Sequence, residues 1–173
     1  AEAESLLQRQ KIPRPYLVVH PTCGGSALNA TPEHYGDIAR LLEGAGYFVV
    51  LTGTTGESAQ VLAATRTAGL PESRFIAPGN LSALAAVLRE ACAVVGPATG
   101  PLHLAASLGV PTVALYAPMH TQSPVRWRPR GDRGVVLLPH PAVCPSCLGP
   151  RCPMYNCVNT IDPDRVLDAV RSL

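Results

Sequence analysis

The chain has 173 residues, of which 47% are apolar and 15% are charged, a balance typical of one globular domain and not of a disordered segment. Its formal net charge is +2 and it contains no run of lysine or arginine, so its charge gives no reason to expect a nucleic-acid partner. No apolar run is long enough to span a bilayer and no signal-peptide pattern opens the chain, which predicts a soluble, cytoplasmic protein.

The first fifteen residues differ in character from the rest. Residues 1–10 are mostly polar helix formers, and residues 12–15, with two prolines, are typical of a stiff linker. We expect residues 1–15 to be the tail of a preceding, missing domain. Residues 16–173 are then expected to form the domain itself.

Apolar runs with the length of buried strands alternate with segments of helical period along this domain. We predict strands at residues 16–20, 47–51, 74–77, 93–95, 112–116 and 135–139. The helix after the first strand begins at Pro32 with Thr31 as its cap, and the closing helix, residues 162–173, begins in the same way with Asp162. The alternation predicts an α/β fold with a doubly wound, Rossmann-like parallel sheet, whose ligands bind at the carboxyl ends of the strands.

The stretch from Cys92 to Pro118 carries the strongest chemical signal. A short strand ends in a glycine-containing turn, and a helix follows directly. Thr99 can cap this helix, Gly100 lets a ligand approach the backbone, and Pro101 fits the first turn. Unpaired N–H groups at such a start suit a phosphate, and Leu102 and His103 lie within reach. A plain strand-to-helix turn with a core-facing His103 is the competing interpretation.

Residues 95–118, V-G-P-A-T-G-P-L-H-L-A-A-S-L-G-V-P-T-V-A-L-Y-A-P, resemble the signature of family 9 glycosyltransferases, the ADP-heptose:lipopolysaccharide heptosyltransferases. The family pattern there is roughly V-G-x-D-[ST]-G-x-x-H-L-A-A-A-x-G-x-P-x-V-A-L-[FY]-G-P. One departure concerns function, because Ala98 stands where the family has an aspartate implied in donor-sugar contacts. The resemblance therefore implies that this chain contacts the sugar of its donor differently from an ordinary heptosyltransferase.

The loop after the first strand resembles a second family motif, H-P-G-x-x-x-x-K-x-W-P-x-x-x-[FY]. His20 and Pro21 match it, but the expected lysine and tryptophan are missing. Phosphate binding would then depend on backbone N–H groups of the glycine-rich loop and on two hydroxyls. The predicted loop ligands are Thr22, Gly24, Gly25 and Ser26.

Three further sites follow from the resemblance, each with a plainer alternative. Glu57 is implied as the ligand of the nucleotide ribose, although an acid in the first turn of a helix is favoured there anyway. Leu81 is implied beside adenine, although a helix cap with a hydrophobic staple explains it equally. Arg126 and Arg128, which flank Trp127, are candidate diphosphate ligands, and a solvated basic loop is the alternative.

The loop at residues 140–160 contains a C-x2-C-x4-C-x4-C cluster formed by Cys144, Cys147, Cys152 and Cys157. Four thiolates fit a tetrahedral zinc site by count, and an iron–sulfur centre, a disulfide or free thiols are the alternatives. The resemblance implies a structural and not a catalytic cluster. We therefore predict a knot of cysteines that staples this loop, with a structural zinc as the metal hypothesis, and no cofactor for catalysis.

The resemblance implies that the chain is the C-terminal, donor-binding half of an inverting GT-B glycosyltransferase. Its donor would be an ADP-heptose-like nucleotide sugar, used in lipopolysaccharide or other cell-envelope glycan synthesis. The missing N-terminal domain would supply the general base and bind the glycolipid acceptor, so this chain alone is expected to be inactive. Peripheral association of the enzyme with the inner membrane is also expected. A non-catalytic nucleotide- or partner-binding module is the alternative. A dinucleotide-dependent oxidoreductase is disfavoured, because no G-x-G-x-x-G follows the first strand.

Overall fold

The computed structural model describes residues 2–140, 144, 146–148 and 151–173. Its centre is a six-stranded sheet in which every pairing of neighbouring strands is parallel. The strands are β1 (Tyr16–Val19), β2 (Val49–Thr52), β3 (Phe75–Ile76), β4 (Ala91–Pro97), β5 (Thr112–Leu115) and β6 (Gly134–Leu137). Their order across the sheet is β3-β2-β1-β4-β5-β6, the order of a doubly wound dinucleotide-binding fold.

Seven α-helices connect and cover these strands within the described residues. They are α1 (Glu2–Arg9), α2 (Pro32–Gly44), α3 (Ser58–Thr67), α4 (Leu81–Arg89), α5 (Gly100–Ser107), α6 (Pro124–Trp127) and α7 (Pro163–Arg171). One face of the sheet carries α2, α3 and α7, and the other carries α1, α4 and α5. No helix in the described part of the chain combines the length and apolar character needed to cross a bilayer.

The strands alternate their side chains between two cores, as the two-residue period of a strand requires. In β1, Leu17 and Val19 pack into the core beneath α2, α3 and α7, whereas Tyr16 and Val18 pack into the core beneath α1, α4 and α5. Both faces are apolar because both are covered, which explains why the strands read as continuous hydrophobic runs.

The order of the strands reverses between β1 and β4, which pair in the centre of the sheet. A crevice opens at such a reversal because the loops after the two strands turn to opposite faces. The two strands approach closely at this edge. A Cβ atom added to Gly96 would lie 2.9 Å from the backbone oxygen of His20.

The predicted fold class is confirmed, and the element boundaries differ by a few residues. The second strand covers Val49–Thr52 instead of 47–51, and the third covers only Phe75–Ile76. Thr31 and Asp162 cap α2 and α7 as predicted, since their side chains accept from the N–H groups of His34 and Asp164.

The amino-terminal segment packs on the domain. Leu7 of α1 is only 3% exposed and lies in the core beneath α4, and the Gln10 side chain donates to the Phe75 carbonyl at 3.1 Å. Its origin as the tail of another domain stays a prediction. Parts of the predicted cysteine-rich loop, residues 141–143, 145 and 149–150, lie outside the described residues.

Replacing Gly96 with alanine should lower the free energy of unfolding by roughly 1–3 kcal/mol, because the new Cβ meets backbone that cannot rotate away. Urea unfolding followed by circular dichroism measures the change. Gly44→Ala is the matched control, since a Cβ there meets nothing within 4 Å and alanine favours the end of α2. Equal stability of Gly96→Ala and the parent protein would show that the two strands are not in fixed contact.

Candidate functional site

Two adjoining cavities open at the carboxyl edge of the sheet. The first, of about 410 Å³, lies over the reversal between β1 and β4. The second, of about 440 Å³, lies on the side of α6. Ser26, Thr99 and Gly100 line both, so the cavities meet at the amino-terminal end of α5.

The start of α5 is formed by the turn that the sequence singled out. Thr99 is the N-cap residue by backbone conformation, but its side chain caps no helix N–H and instead donates to the Pro97 carbonyl at 3.4 Å. The prediction that Thr99 caps by its side chain is therefore wrong. The consequence is favourable for a ligand, because the first-turn N–H groups have no intrahelical acceptor and no such side chain competes for them.

The predicted residues of this turn take different positions. Thr99 and Gly100 line both cavities and Pro101 lines the first. A Cβ added to Gly100 would meet no atom within 4 Å, so open space lies in front of the helix start. The Leu102 side chain is fully buried in the core, which leaves only its backbone N–H for a ligand. His103 lines the second cavity and is not a core residue, which answers the competing interpretation.

The floor of the first cavity is a hydrogen-bonded network around His20. Its Nδ1 lies 3.0 Å from the Thr52 hydroxyl and its Nε2 lies 3.3 Å from the Thr22 hydroxyl. Burial lowers the pKa of His20 to about 4, although the Glu57 carboxylate and a backbone hydrogen bond at Thr52 act in the opposite direction. The imidazole is thus neutral near pH 7 and orients Thr22, one of the predicted loop ligands.

Glu57 lies on the wall of the same cavity and is held as an anion. Its carboxylate accepts from the Thr54 N–H at 3.0 Å and from the Thr54 hydroxyl at 2.7 Å, which makes a capping box. Burial raises its pKa, but the hydrogen bonds from Thr54 and Thr22 outweigh that effect and leave the pKa below its usual value. Glu57 therefore stabilises the first turn of the helix, as the plainer interpretation held. It also lines the first cavity, so its role as a ribose ligand stays a prediction.

The outer wall of the first cavity is apolar. Pro78, Gly79 and Leu84 line it together with Leu81, whose side chain is 71% exposed. Asn80 caps α4, since its side chain accepts from the Ala83 N–H at 2.9 Å. An exposed leucine beside a glycine-containing turn is a suitable surface for a planar base.

The glycine-rich loop after β1 forms the rim between the cavities. Gly24 and Gly25 have φ of 53° and 75°, conformations that side-chain-bearing residues rarely adopt. Gly24 and Ser26 line the first cavity, whereas Gly25 faces away from it into a neighbouring surface groove. Gly25 therefore does not line the first cavity with the other three loop residues, and its role as a ligand stays a prediction.

The second cavity brings together side chains from four segments. Ala98 and His103 come from either side of the start of α5, Gln122 from a short helical turn, and Trp127 from the end of α6. Burial lowers the pKa of His103, so this imidazole is also largely neutral near pH 7. Arg126 and Arg128, the predicted diphosphate ligands, are exposed and line neither cavity. The Arg126 guanidinium instead lies over the Trp127 ring, 5.4 Å from its centroid.

The cysteine cluster is only partly gathered. All four of its cysteines are free thiols: Cys144, Cys147, Cys152 and Cys157. Burial raises the pKa of Cys157, and the negative charge of the other three cysteines raises it further. Within the ranges that the structure describes, no three His, Cys, Asp or Glu side chains are close enough to hold a metal ion. The structural zinc therefore stays a prediction.

Several cavity residues were missed as ligands by sequence reasoning. His20 followed a predicted strand directly, a position that favours a site, but its lowered pKa depends on burial that only packing creates. Trp127 lies between the two arginines that were predicted as diphosphate ligands, but it was not itself a predicted site residue. Gln122 has no sequence signal, since it reaches the site by contacts with residues about 95 positions earlier: its side chain accepts from Leu28 N–H at 3.1 Å and donates to the Ser26 carbonyl at 3.4 Å.

The model of the family named "Glycosyltransferase family 9 (heptosyltransferase)" matches residues 1–157. This chain belongs to glycosyltransferase family 9. It is 33% identical over 135 residues to the "Putative glycosyltransferase" of Haemophilus influenzae, an alignment that covers 75% of this chain and 37% of that protein.

Solved structures of similar fold agree with this membership. The E. coli ADP-heptose lps heptosyltransferase II matches with a TM-score of 0.75 and 24% identity, over 99% of this chain and 50% of its own. A family 9 glycosyl transferase from Veillonella parvula matches with a TM-score of 0.76 and 20% identity, over 98% and 49%. The E. coli heptosyltransferase WaaC with ADP matches with a TM-score of 0.68 and 22% identity, over 98% of this chain and 48% of its own. The family 9 chain thus spans about half the length of these proteins or less.

The buried His20 should make folding stability pH-dependent. Its pKa is lower in the folded protein, about 4, than the value near 6.5 of an unfolded chain, so the unfolded state takes up the proton first as pH falls. The free energy of unfolding should therefore decrease by about 2 kcal/mol between pH 8 and pH 5 on account of His20. Urea titrations at the two pH values measure this.

His20→Asn is the comparison variant, because it lacks the titrating ring while His34 and His103 remain. The loss of stability between pH 8 and pH 5 should be smaller in the variant by that same amount. An identical pH dependence in the two proteins would show that His20 is accessible to water.

Proposed function

We propose that this family 9 chain binds the nucleotide-sugar donor of an inverting glycosyltransferase, with an ADP-linked sugar as its ligand. The observation that carries this proposal is the meeting of two cavities at the uncapped start of α5, beside the reversal of the strand order. One cavity suits a nucleoside, the other suits a sugar, and the diphosphate lies between them. The WaaC structure with ADP, which has the same fold, supports the choice of nucleotide.

The diphosphate is placed at the backbone N–H groups of Thr99, Gly100 and Leu102. These groups point along the helix axis, and the positive end of the helix dipole adds to their attraction for an anion. Thr22 and Ser26 line the same cavity, but their hydroxyls already contact His20 and the Cys23 carbonyl within the protein. No lysine or arginine is among the described residues that line either cavity, so the helix start provides the main electrostatic stabilisation.

The nucleoside occupies the first cavity. The Glu57 carboxyl group is deprotonated near pH 7 and accepts hydrogen bonds from the two ribose hydroxyls. The base lies against Leu81 and Leu84, where the wall is apolar.

The reaction is direct displacement of the nucleoside diphosphate at the anomeric carbon by an acceptor hydroxyl. The negative charge that develops on the departing diphosphate is stabilised by the α5 N–H groups, which are fixed before the reaction begins. The described cavity residues include one carboxylate, Glu57, and it is already held by Thr54 and Thr22. We therefore assign the general base and the acceptor site to the other half of the enzyme. The acceptor is a glycolipid of cell-envelope synthesis, and the reaction takes place on the cytoplasmic side of the inner membrane.

A non-catalytic nucleotide-binding module is the second candidate. It is favoured by the same observation that makes the donor site unusual, since neither cavity has a basic side chain among its described residues. The two candidates share the nucleotide and differ in turnover. Transfer of sugar by the complete two-half enzyme distinguishes them.

Gly100→Val should reduce the affinity for ADP at least tenfold without lowering the unfolding temperature. The added methyl groups would fill the open space in front of the helix start and keep a phosphate away from its N–H groups. Calorimetric titration with ADP gives the affinity. Ser107→Val, at the exposed far end of the same helix, is the control and should bind as the parent does. Parent-like affinity of Gly100→Val would place the diphosphate elsewhere.

Glu57→Gln should weaken the preference for ADP over 2′,3′-dideoxy-ADP several-fold. Glutamine preserves the capping box, but its neutral oxygen accepts a weaker hydrogen bond, worth about 1 kcal/mol instead of about 1.5–3 kcal/mol. Competitive titrations with the two nucleotides give the ratio of affinities. The control Glu33→Gln removes the same charge from the exposed first turn of α2 and should leave the ratio unchanged. An unchanged ratio in Glu57→Gln would remove this carboxylate from the ribose site.

A further inference from the structure

The second cavity has an unusual chemistry for a carbohydrate site. Its described lining contains no Asp, Glu, Lys or Arg, and its one titratable residue is His103, which is mostly neutral near pH 7. Two alanines, Ala27 and Ala98, and the indole of Trp127 supply much of the wall. A sugar with many hydroxyls normally meets several fixed polar partners in its site.

The polar groups that do line the cavity are largely engaged within the protein. The Gln122 amide accepts from the Leu28 N–H and donates to the Ser26 carbonyl, and the Ser26 hydroxyl donates to the Cys23 carbonyl at 2.7 Å. The Thr99 hydroxyl donates to Pro97. What remains for a ligand is a small number of acceptor lone pairs, the Thr121 hydroxyl and the His103 ring.

Trp127 is held in place independently of any ligand. Its indole N–H donates to the Thr121 carbonyl at 3.0 Å, and its backbone carbonyl accepts from the Tyr116 hydroxyl. The ring is nevertheless 49% exposed, although it is large and apolar. The Arg126 guanidinium lies over one face of the ring, 5.4 Å from its centroid, which leaves the other face for a ligand. A rigid aromatic surface on a cavity wall is a suitable partner for the apolar face of a sugar ring.

We propose that the second cavity is a sugar subsite selective for an uncharged hexosyl group, whose apolar face stacks on Trp127, and that it disfavours a heptosyl group. This inference rests on the proposed function, since it names the sugar of the same donor. A heptose brings a longer hydroxylated side chain than a hexose. Each of its hydroxyls that is buried without a partner costs roughly tenfold in affinity, and Ala98 offers none.

The chain contains a single tryptophan, so its emission reports directly on this cavity. ADP alone should bind in the first cavity and leave the emission of Trp127 nearly unchanged. ADP-glucose should shift and quench that emission, bind about tenfold more tightly than ADP, and bind more tightly than an ADP-heptose. Calorimetry gives the three affinities and fluorescence titration gives the occupancy of the second cavity.

Two variants at Trp127 separate stacking from a structural role. In Trp127→Ala the ratio of ADP-glucose to ADP affinity should fall to about one. In Trp127→Phe, which retains an aromatic face, most of the ratio should be preserved. Val125→Ala is the matched control, because this side chain is on the same short helix, is 95% exposed and lines neither cavity.

A third variant tests selectivity. Ala98→Asp introduces a carboxylate that can accept from two sugar hydroxyls, and it should raise the ratio of ADP-heptose to ADP-glucose affinity about tenfold. The ratio is the readout because repulsion between the new charge and the diphosphate affects both ligands alike.

The outcomes distinguish this inference from the proposed function. If ADP itself does not bind, the proposed function fails and the sugar subsite with it. If ADP binds but ADP-glucose leaves Trp127 emission unchanged, or if the parent protein prefers the heptose, the donor site stands and the inference is overturned. Loss of the sugar-dependent gain in Trp127→Ala together with its retention in Trp127→Phe supports it.

Discussion

The candidate site depends on one close approach between two backbones at the centre of the sheet. Gly96 of β4 lies against the carbonyl of His20, and no side chain fits between them. That contact brings the ends of β1 and β4 together where the strand order reverses. The loop that follows β1 and the helix that follows β4 therefore meet over the same crevice, and every other feature of the site is built on their meeting.

The electrostatics of the cleft follow from this arrangement. Burial lowers the pKa of His20 and so removes its charge near pH 7, while hydrogen bonds retain the charge of Glu57 beside it. The described walls hold no basic side chain, so the proposed diphosphate would be attracted by the backbone at the start of α5. Such an attraction is weaker than that of a lysine but is fixed in direction, which suits the stabilisation of a leaving group more than tight retention of the ground state.

Much of the fold was predictable because its signals are local. The apolar strand runs, the proline and cap residues at Pro32 and Asp162, and the glycine turn at Gly100 each specify local backbone structure, and the structure contains all of them. The start of α5 was predictable as a turn for the same reason, and its role as a ligand site stays a prediction. One prediction is wrong, the hydrogen-bond partner of Thr99, and three predicted ligands, Gly25, Arg126 and Arg128, line neither cavity. Both results depend on how a side chain or loop is directed in space.

By itself the sequence determined the class of fold, the family resemblance and the glycine-containing turn that begins α5. Those properties lie in segments of a few residues, where chain direction and residue type decide the structure. Only the tertiary structure decided that His20 is neutral and that Trp127, not its arginine neighbours, faces a cavity. It also decided that Gln122 ties that region to the glycine-rich loop. These facts arise from burial and from contacts between residues nearly a hundred positions apart, which no local pattern in the chain records.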